Sequence, residues 1–104
     1  MSLVNLKVQV HCLKPSWVNH EKNRYRLYVD EDMLTERTWS WDKETLIDEN
    51  IWVELEPNMQ HLIKLVPILD PIDSIAKFAI MKLRVNNNLY ANTNEEQLEL
   101  SFTI

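Results

Sequence analysis

Residues 24–42 read RYRLYVDEDMLTERTWSWD, and the fold turns on this stretch. Tyr25, Leu27 and Val29 alternate with Arg24, Arg26 and Tyr28. A period of two puts apolar side chains on one face of a strand and polar ones on the other. Asp30-Glu31-Asp32 then suits a turn, because Asp tolerates turn backbones better than most residues. From Leu34 to Trp41 the chain is rich in Thr and Trp, with strand propensity and no helical period. The stretch predicts an antiparallel hairpin. Glu36 on its returning strand is placed to neutralise an arginine of the Arg24, Arg26, Tyr28 row.

The same alternation recurs outward along the chain. Val4, Leu6, Val8, Val10 and Cys12 are expected on the inner face of one strand, Ile51, Val53 and Leu55 on that of another. Ala79, Met81, Leu83 and Val85 form a third such row, with Ile80, Lys82 and Arg84 facing outward, and Leu98, Leu100, Phe102 and Ile104 form the last. Met59 to Val66 reads as a strand that Pro67 stops or marks as an edge. With the hairpin this makes seven strands separated by turn-type residues. The expectation is a single all-β domain over residues 1–104, an antiparallel β-sandwich of jelly-roll type.

Three connections are longer. Residues 15–23 contain Trp17, residues 42–50 form an acidic loop, and residues 67–77 carry DPIDSIAK within them. In the last, Asp70 can cap, Pro71 suits a first helical position and Asp73 a first turn, which predicts a short helical turn near 70–76.

Composition closes several function classes. Glycine is absent, so a Walker loop, a dinucleotide-binding Gly-x-Gly-x-x-Gly turn and a nucleophile elbow are all excluded. Turns that need positive φ must then fall to Asn and Asp, at 30–32, 57–58, 86–88 and 92–94. Lys and Arg total 11 against 16 acidic residues, a net charge of −5, and they are scattered along the chain. That argues against nucleic acid as a partner. No apolar run has the length of a signal core or a membrane span, so a soluble protein is expected, with no compartment indicated.

Cys12 is the single cysteine, which excludes an intramolecular disulfide and a multi-cysteine zinc site. It neighbours His11 on one strand, so the two side chains leave opposite faces and form no nucleophile–base pair; Cys12 is expected in the core. His11, His20 and His61 lack zinc-ligand spacing and read as solvent-facing or loop residues. A glycosidase-type carboxylate pair would have to come from Asp30, Asp32, Glu36, Glu54 or Glu56, which read more simply as a solvated acidic face. No enzyme is expected. Calcium is the one cofactor left open: Asp30-Glu31-Asp32 or Asp42-x-Glu44 supplies two or three of the six to eight oxygens needed, and a plain turn explains the first equally.

The succession YRLYVDEDMLTERTW, VELEPNMQHLIKL and FAIMKLRVNNN resembles small, uncharacterised β-sandwich proteins of marine tailed phages and related metagenomic sequences. Tyr25 to Asp30, Thr35 to Trp39 and Leu55 to His61 occupy the places of that group's Tyr-Arg-x-Tyr-Val-Asp strand, Thr-Glu-Arg-Thr-aromatic strand and Leu-x-Pro-Gly-x-His turn. The strand grammar over about Arg24 to Asn88 is also similar to that of calcium-dependent xylan-binding modules, which are jelly rolls. Glu31 and Asn58 stand where glycine is usual, and no Asp-rich loop follows the last strands.

Two expectations of function follow. The first is a non-catalytic structural or interaction domain, a phage accessory or virion component that self-associates or binds a protein partner. The final strand, LELSFTI, adds to this reading, since it carries no charged tail to blunt edge pairing. The second is a carbohydrate-binding module, with calcium as the resemblance implies. Its stacking platforms would be Tyr28, Trp39, Trp41 and Trp52, and its polar partners Arg24, Arg26 and Asp30. The same aromatics would equally serve as cross-strand pairs, or as core beneath a long loop.

Overall fold

The computed structural model describes residues 1–14, 24–39, 46–68, 77–92 and 97–104, and these residues form two antiparallel four-stranded sheets without a helix. The strands are β1 (Ser2–Lys14), β2 (Arg24–Val29), β3 (Asp32–Thr38), β4 (Leu46–Leu55), β5 (Gln60–Ile68), β6 (Lys77–Val85), β7 (Asn88–Asn92) and β8 (Glu99–Thr103). One sheet has the order β4-β1-β6-β7 and the other β3-β2-β5-β8. Their inner faces share one core. Val4, Leu6, Val8, Val10 and Cys12 of β1 lie in the same buried cluster as Tyr25, Leu27 and Val29 of β2 and Ile63 and Leu65 of β5. Full burial contributes about 1.5–3 kcal/mol for each large aliphatic side chain, so these alternating rows are what hold the sheets face to face.

The opening hairpin forms, but its turn is Asp30-Glu31 alone, because Asp32 already pairs with Val29, and β3 runs Asp32–Thr38 rather than from Leu34 to Trp41. Arg26 lies opposite Glu36, and their side chains pair at 2.9 Å. Asp30 and Glu31 make the turn with φ of 50° and 81°, the two successive left-handed residues that a two-residue turn of the twisted-hairpin type requires. Asn86 and Asn87 do the same between β6 and β7, and Asn58 takes φ of 61° between β4 and β5. A chain without glycine thus places its left-handed residues inside the Asn- and Asp-containing segments. Glu31 is the costly member, since a side chain of its kind in this region is disfavoured by roughly 1–2 kcal/mol.

Several expectations are corrected. The described residues hold eight strands, because β7 follows the Asn86-Asn87 turn; NLYAN is too short and polar to announce itself by alternation. β4 begins at Leu46, inside what reads as an acidic loop, so Ile47 and Glu49 join the inward row of Ile51, Val53 and Leu55. On β6 the pairing with β1 jumps from Gln9↔Lys82 to Val10↔Ile80, leaving Met81 as a bulge. The extra residue resets the phase: Phe78 and Ile80 enter the core beside Leu83 and Val85, and Met81 is left half-buried outside the cluster. Leu98 is exposed rather than buried. β5 runs on through Pro67, which faces Tyr25 of β2 beyond the last residue that β8 pairs, so its missing N–H interrupts no ladder there. The helical turn expected near 70–76 lies outside the described residues.

Candidate functional site on the outer face of the second sheet

The outward side chains of β2 are Arg24, Arg26 and Tyr28, and Asp30 continues the row at the turn. Beside them, β5 turns Leu62, Lys64 and Val66 outward, with Tyr28 directly opposite Lys64 and Arg26 opposite Val66. The result is a depression of about 640 Å³ lined by Tyr28, Asp30, Glu31, Leu62, Lys64 and Val66. Its middle is apolar and half-buried, one end is acidic, and a lysine stands in its wall.

Asp30 is fastened rather than free. Its N–H donates to the Leu62 carbonyl at 3.0 Å, and its Oδ1 accepts from the Leu62 N–H at 2.9 Å. Its Oδ2 meets Nδ1 of His61 at 2.5 Å, while Nε2 of His61 meets the Glu56 carbonyl at 2.7 Å. His61 is buried, contrary to the solvent-facing position expected for it. Both of its ring nitrogens face acceptors, an arrangement that only the doubly protonated ring satisfies. Burial pulls His61 down, but the Asp30 carboxylate and then the Glu56 carbonyl outweigh it and hold the ring above its ordinary value. Burial likewise pushes Asp30 up, and the bonds from His61 and the Leu62 N–H outweigh that and hold it below its ordinary value.

Arg24, Arg26, Tyr28 and Asp30, four of the residues expected at a site, therefore share one face. The tryptophans do not join them. Trp39 is fully buried, edge-on to Phe78 at 6.1 Å, and Phe78 in turn packs on Tyr25 at 5.2 Å. The reason is phase: Glu36 faces outward with Arg26, so Arg37 and Trp39 face inward. Trp52 is exposed, but on the outer face of the opposite sheet, across from Asn5. Trp41 lies outside the described residues.

A second constellation went unread in the sequence. Glu49, 5% exposed, accepts from the Tyr25 hydroxyl at 2.6 Å and from Nε and Nη2 of Arg37, so it joins β4 of one sheet to β2 and β3 of the other. Burial first, and the Glu49 carboxylate second, hold the Tyr25 phenol well above its ordinary value and keep it a donor. With three donors on its two carboxylate oxygens, Glu49 acts as a clasp between sheets. The signal was its place in the inward row between Ile47 and Ile51, hidden because residues 42–50, Ile47 and Glu49 among them, read as a loop.

Among the described residues no group of three or more His, Cys, Asp or Glu side chains converges as a metal site, and no helix is long and apolar enough to cross a membrane. Comparison with family models, with curated proteins and with solved structures finds no match to any of them.

Proposed function

We propose that the protein is a non-catalytic structural or interaction domain that binds a protein partner, in the first instance another copy of itself, through the outer face of the β3-β2-β5-β8 sheet. The observation that carries this reading is the depression where Tyr28, Leu62 and Val66 line an apolar middle between charged walls, with Arg24 and Arg26 on the same row. An aromatic and arginines around a partly desolvated centre is the composition of interface hot spots. A phage accessory or virion component is the setting that the sequence resemblance suggests. Jelly-roll winding belongs to the same reading, and rests on the chain crossing between sheets after β1, β3, β4, β5 and β7 rather than on the pairing order. Light scattering at high micromolar concentration is the test: oligomers are expected for the unaltered chain and monomers for Leu62→Asp. A strict monomer for both overturns self-association.

A second reading, a carbohydrate-binding module with or without calcium, is favoured by Trp52, which is 64% exposed. A glycan array run with and without calcium tests it, and silence under both conditions removes it.

A further inference from the structure

The lysines and arginines are scattered in sequence, yet the first sheet gathers three of them on its outer face. Lys7 of β1 lies directly opposite Arg84 of β6, and Gln9, the next outward residue of β1, lies opposite Lys82. Like charges facing each other across a strand pair are destabilising. Among the described residues, none of the three makes an ion pair. They line a cleft of about 330 Å³ together with Gln9, Asp48 and Asn87.

The end of this cleft is built. Asn5, 3% exposed, donates its N–H to Oδ1 of Asn86 at 3.0 Å and accepts from the Asn86 N–H at 2.8 Å. Its own Nδ2 donates to Asn50 Oδ1 at 2.6 Å. These bonds hold the left-handed Asn86-Asn87 turn against β1, and Asn87 closes the wall. Trp52 lies across from Asn5, in the row next to Lys7 and Arg84, so Trp52 and Lys7 are diagonal neighbours across the strand pair, about 7–8 Å apart and within reach of long side chains. That is the reach between a pyranose ring and an anionic group carried on it or on its neighbour.

We infer that this cleft is the binding site for an acidic saccharide, whose sulfate or carboxylate group sits among Lys7, Lys82 and Arg84 while a sugar ring stacks on Trp52. Charge complementarity selects the occupant: three cations against the one carboxylate of Asp48, on a chain of net charge −5, favour a short, locally charged ligand over a long polyphosphate. Asp48, on the far side of the cleft, supplies an acceptor for sugar hydroxyls. The inference rests on the carbohydrate reading carried by Trp52 and adds the cations beside it as the determinant of its ligand.

The test is titration calorimetry of the full chain with a chondroitin sulfate hexasaccharide, an oligogalacturonate, xylohexaose, a thymidine hexanucleotide and inorganic sulfate. Binding of one or both acidic saccharides is expected. It should weaken about tenfold or more in the Lys7→Gln/Arg84→Gln double variant, and again in Trp52→Ala. The double variant should also melt at a higher temperature than the unaltered chain without ligand, because it removes a facing pair of like charges, so loss of binding cannot be confused with loss of fold. Xylohexaose binding that needs Trp52 but ignores Lys7 and Arg84 overturns the inference and leaves the carbohydrate reading standing. Binding of the hexanucleotide alone, or of inorganic sulfate as tightly as the saccharides with no effect of Trp52→Ala, overturns it in favour of a nucleic-acid or simple anion site. No binding by any saccharide overturns both.

Discussion

The Tyr25 hydroxyl, on the inner face of β2, donates at 2.6 Å to the carboxylate of Glu49 on β4, so one short hydrogen bond ties the two sheets together near the β3–β4 edge. Arg37 of β3 completes the clasp with two donors to the same carboxylate. Removing the acceptor strands a phenol and a guanidinium. Glu49→Ala should therefore cost about 2–3 kcal/mol, below the range for a wholly buried pair because Arg37 is 39% exposed. Tyr25→Phe should cost about 1–2 kcal/mol, since Arg37 still satisfies the carboxylate. Urea unfolding measures both; a loss for Glu49→Ala no larger than that for exposed Glu54→Ala would show that the clasp contributes nothing.

The Asp30–His61 contact makes stability depend on pH from two sides. The folded-state value of His61 is raised, so its contribution is complete below the unfolded histidine value of about 6.5 and is lost as pH rises through the higher folded value. The folded-state value of Asp30 is lowered, so its contribution is present above the unfolded carboxylate value of about 3.9 and is lost as pH falls through the lower folded one. Melting temperature should be highest between about pH 4 and 6.5 and decline toward pH 9, with a flatter profile in Asp30→Asn. Identical alkaline slopes in the two proteins would refute the coupling. The effect should be modest, since the Asp30 side chain is 40% exposed.

Glu31 holds φ of 81° in a turn where glycine would carry no steric penalty. Glu31→Gly should stabilise the protein by about 1 kcal/mol, and Glu31→Ala, which keeps the Cβ, should not. Equal effects of the two would mean that the side chain's charge, not its backbone angle, governs this position.

The β6 bulge separates two residues that alternation had paired. Leu83→Ala, fully buried, should cost about 2–5 kcal/mol, whereas Met81→Ala, half-buried at the bulge, should cost under about 1 kcal/mol. Urea midpoints for the two variants report the strand's facing directly, and a reversed order would move the bulge.

Local rules carried far in this chain. Period-two rows identified the inner faces of β1 and β2, and the lack of glycine pointed to the segments that hold Asp30, Asn58, Asn86 and Asn87, all with positive φ. The hairpin and an arginine partner for Glu36 were readable, but the register was not: Asp32 already pairs with Val29, and a shift between Leu27 and Tyr28 is what sets Glu36 opposite Arg26. The candidate site was legible only in part. Arg24, Arg26, Tyr28 and Asp30 share a strand and so a face, but Leu62 and Lys64 complete the depression from β5, some thirty residues away, and no spacing announces that.

Strand character, turn positions and the exclusion of glycine-dependent chemistries were thus determined by the sequence itself, because each follows from the side-chain period or from the backbone tolerance of a single residue type. The tertiary structure alone decided what met what. One extra residue at Met81 brought Ile80 into the core and left Met81 half-buried outside it, and the phase of β3 turned Trp39 inward. Pairing of β1 with β4 and β6 buried Asn5 and assembled Lys7, Lys82 and Arg84 from opposite ends of the chain. A strand's period tells a residue its face but not its neighbours, which depend on strand order and register set by the packing of the whole core.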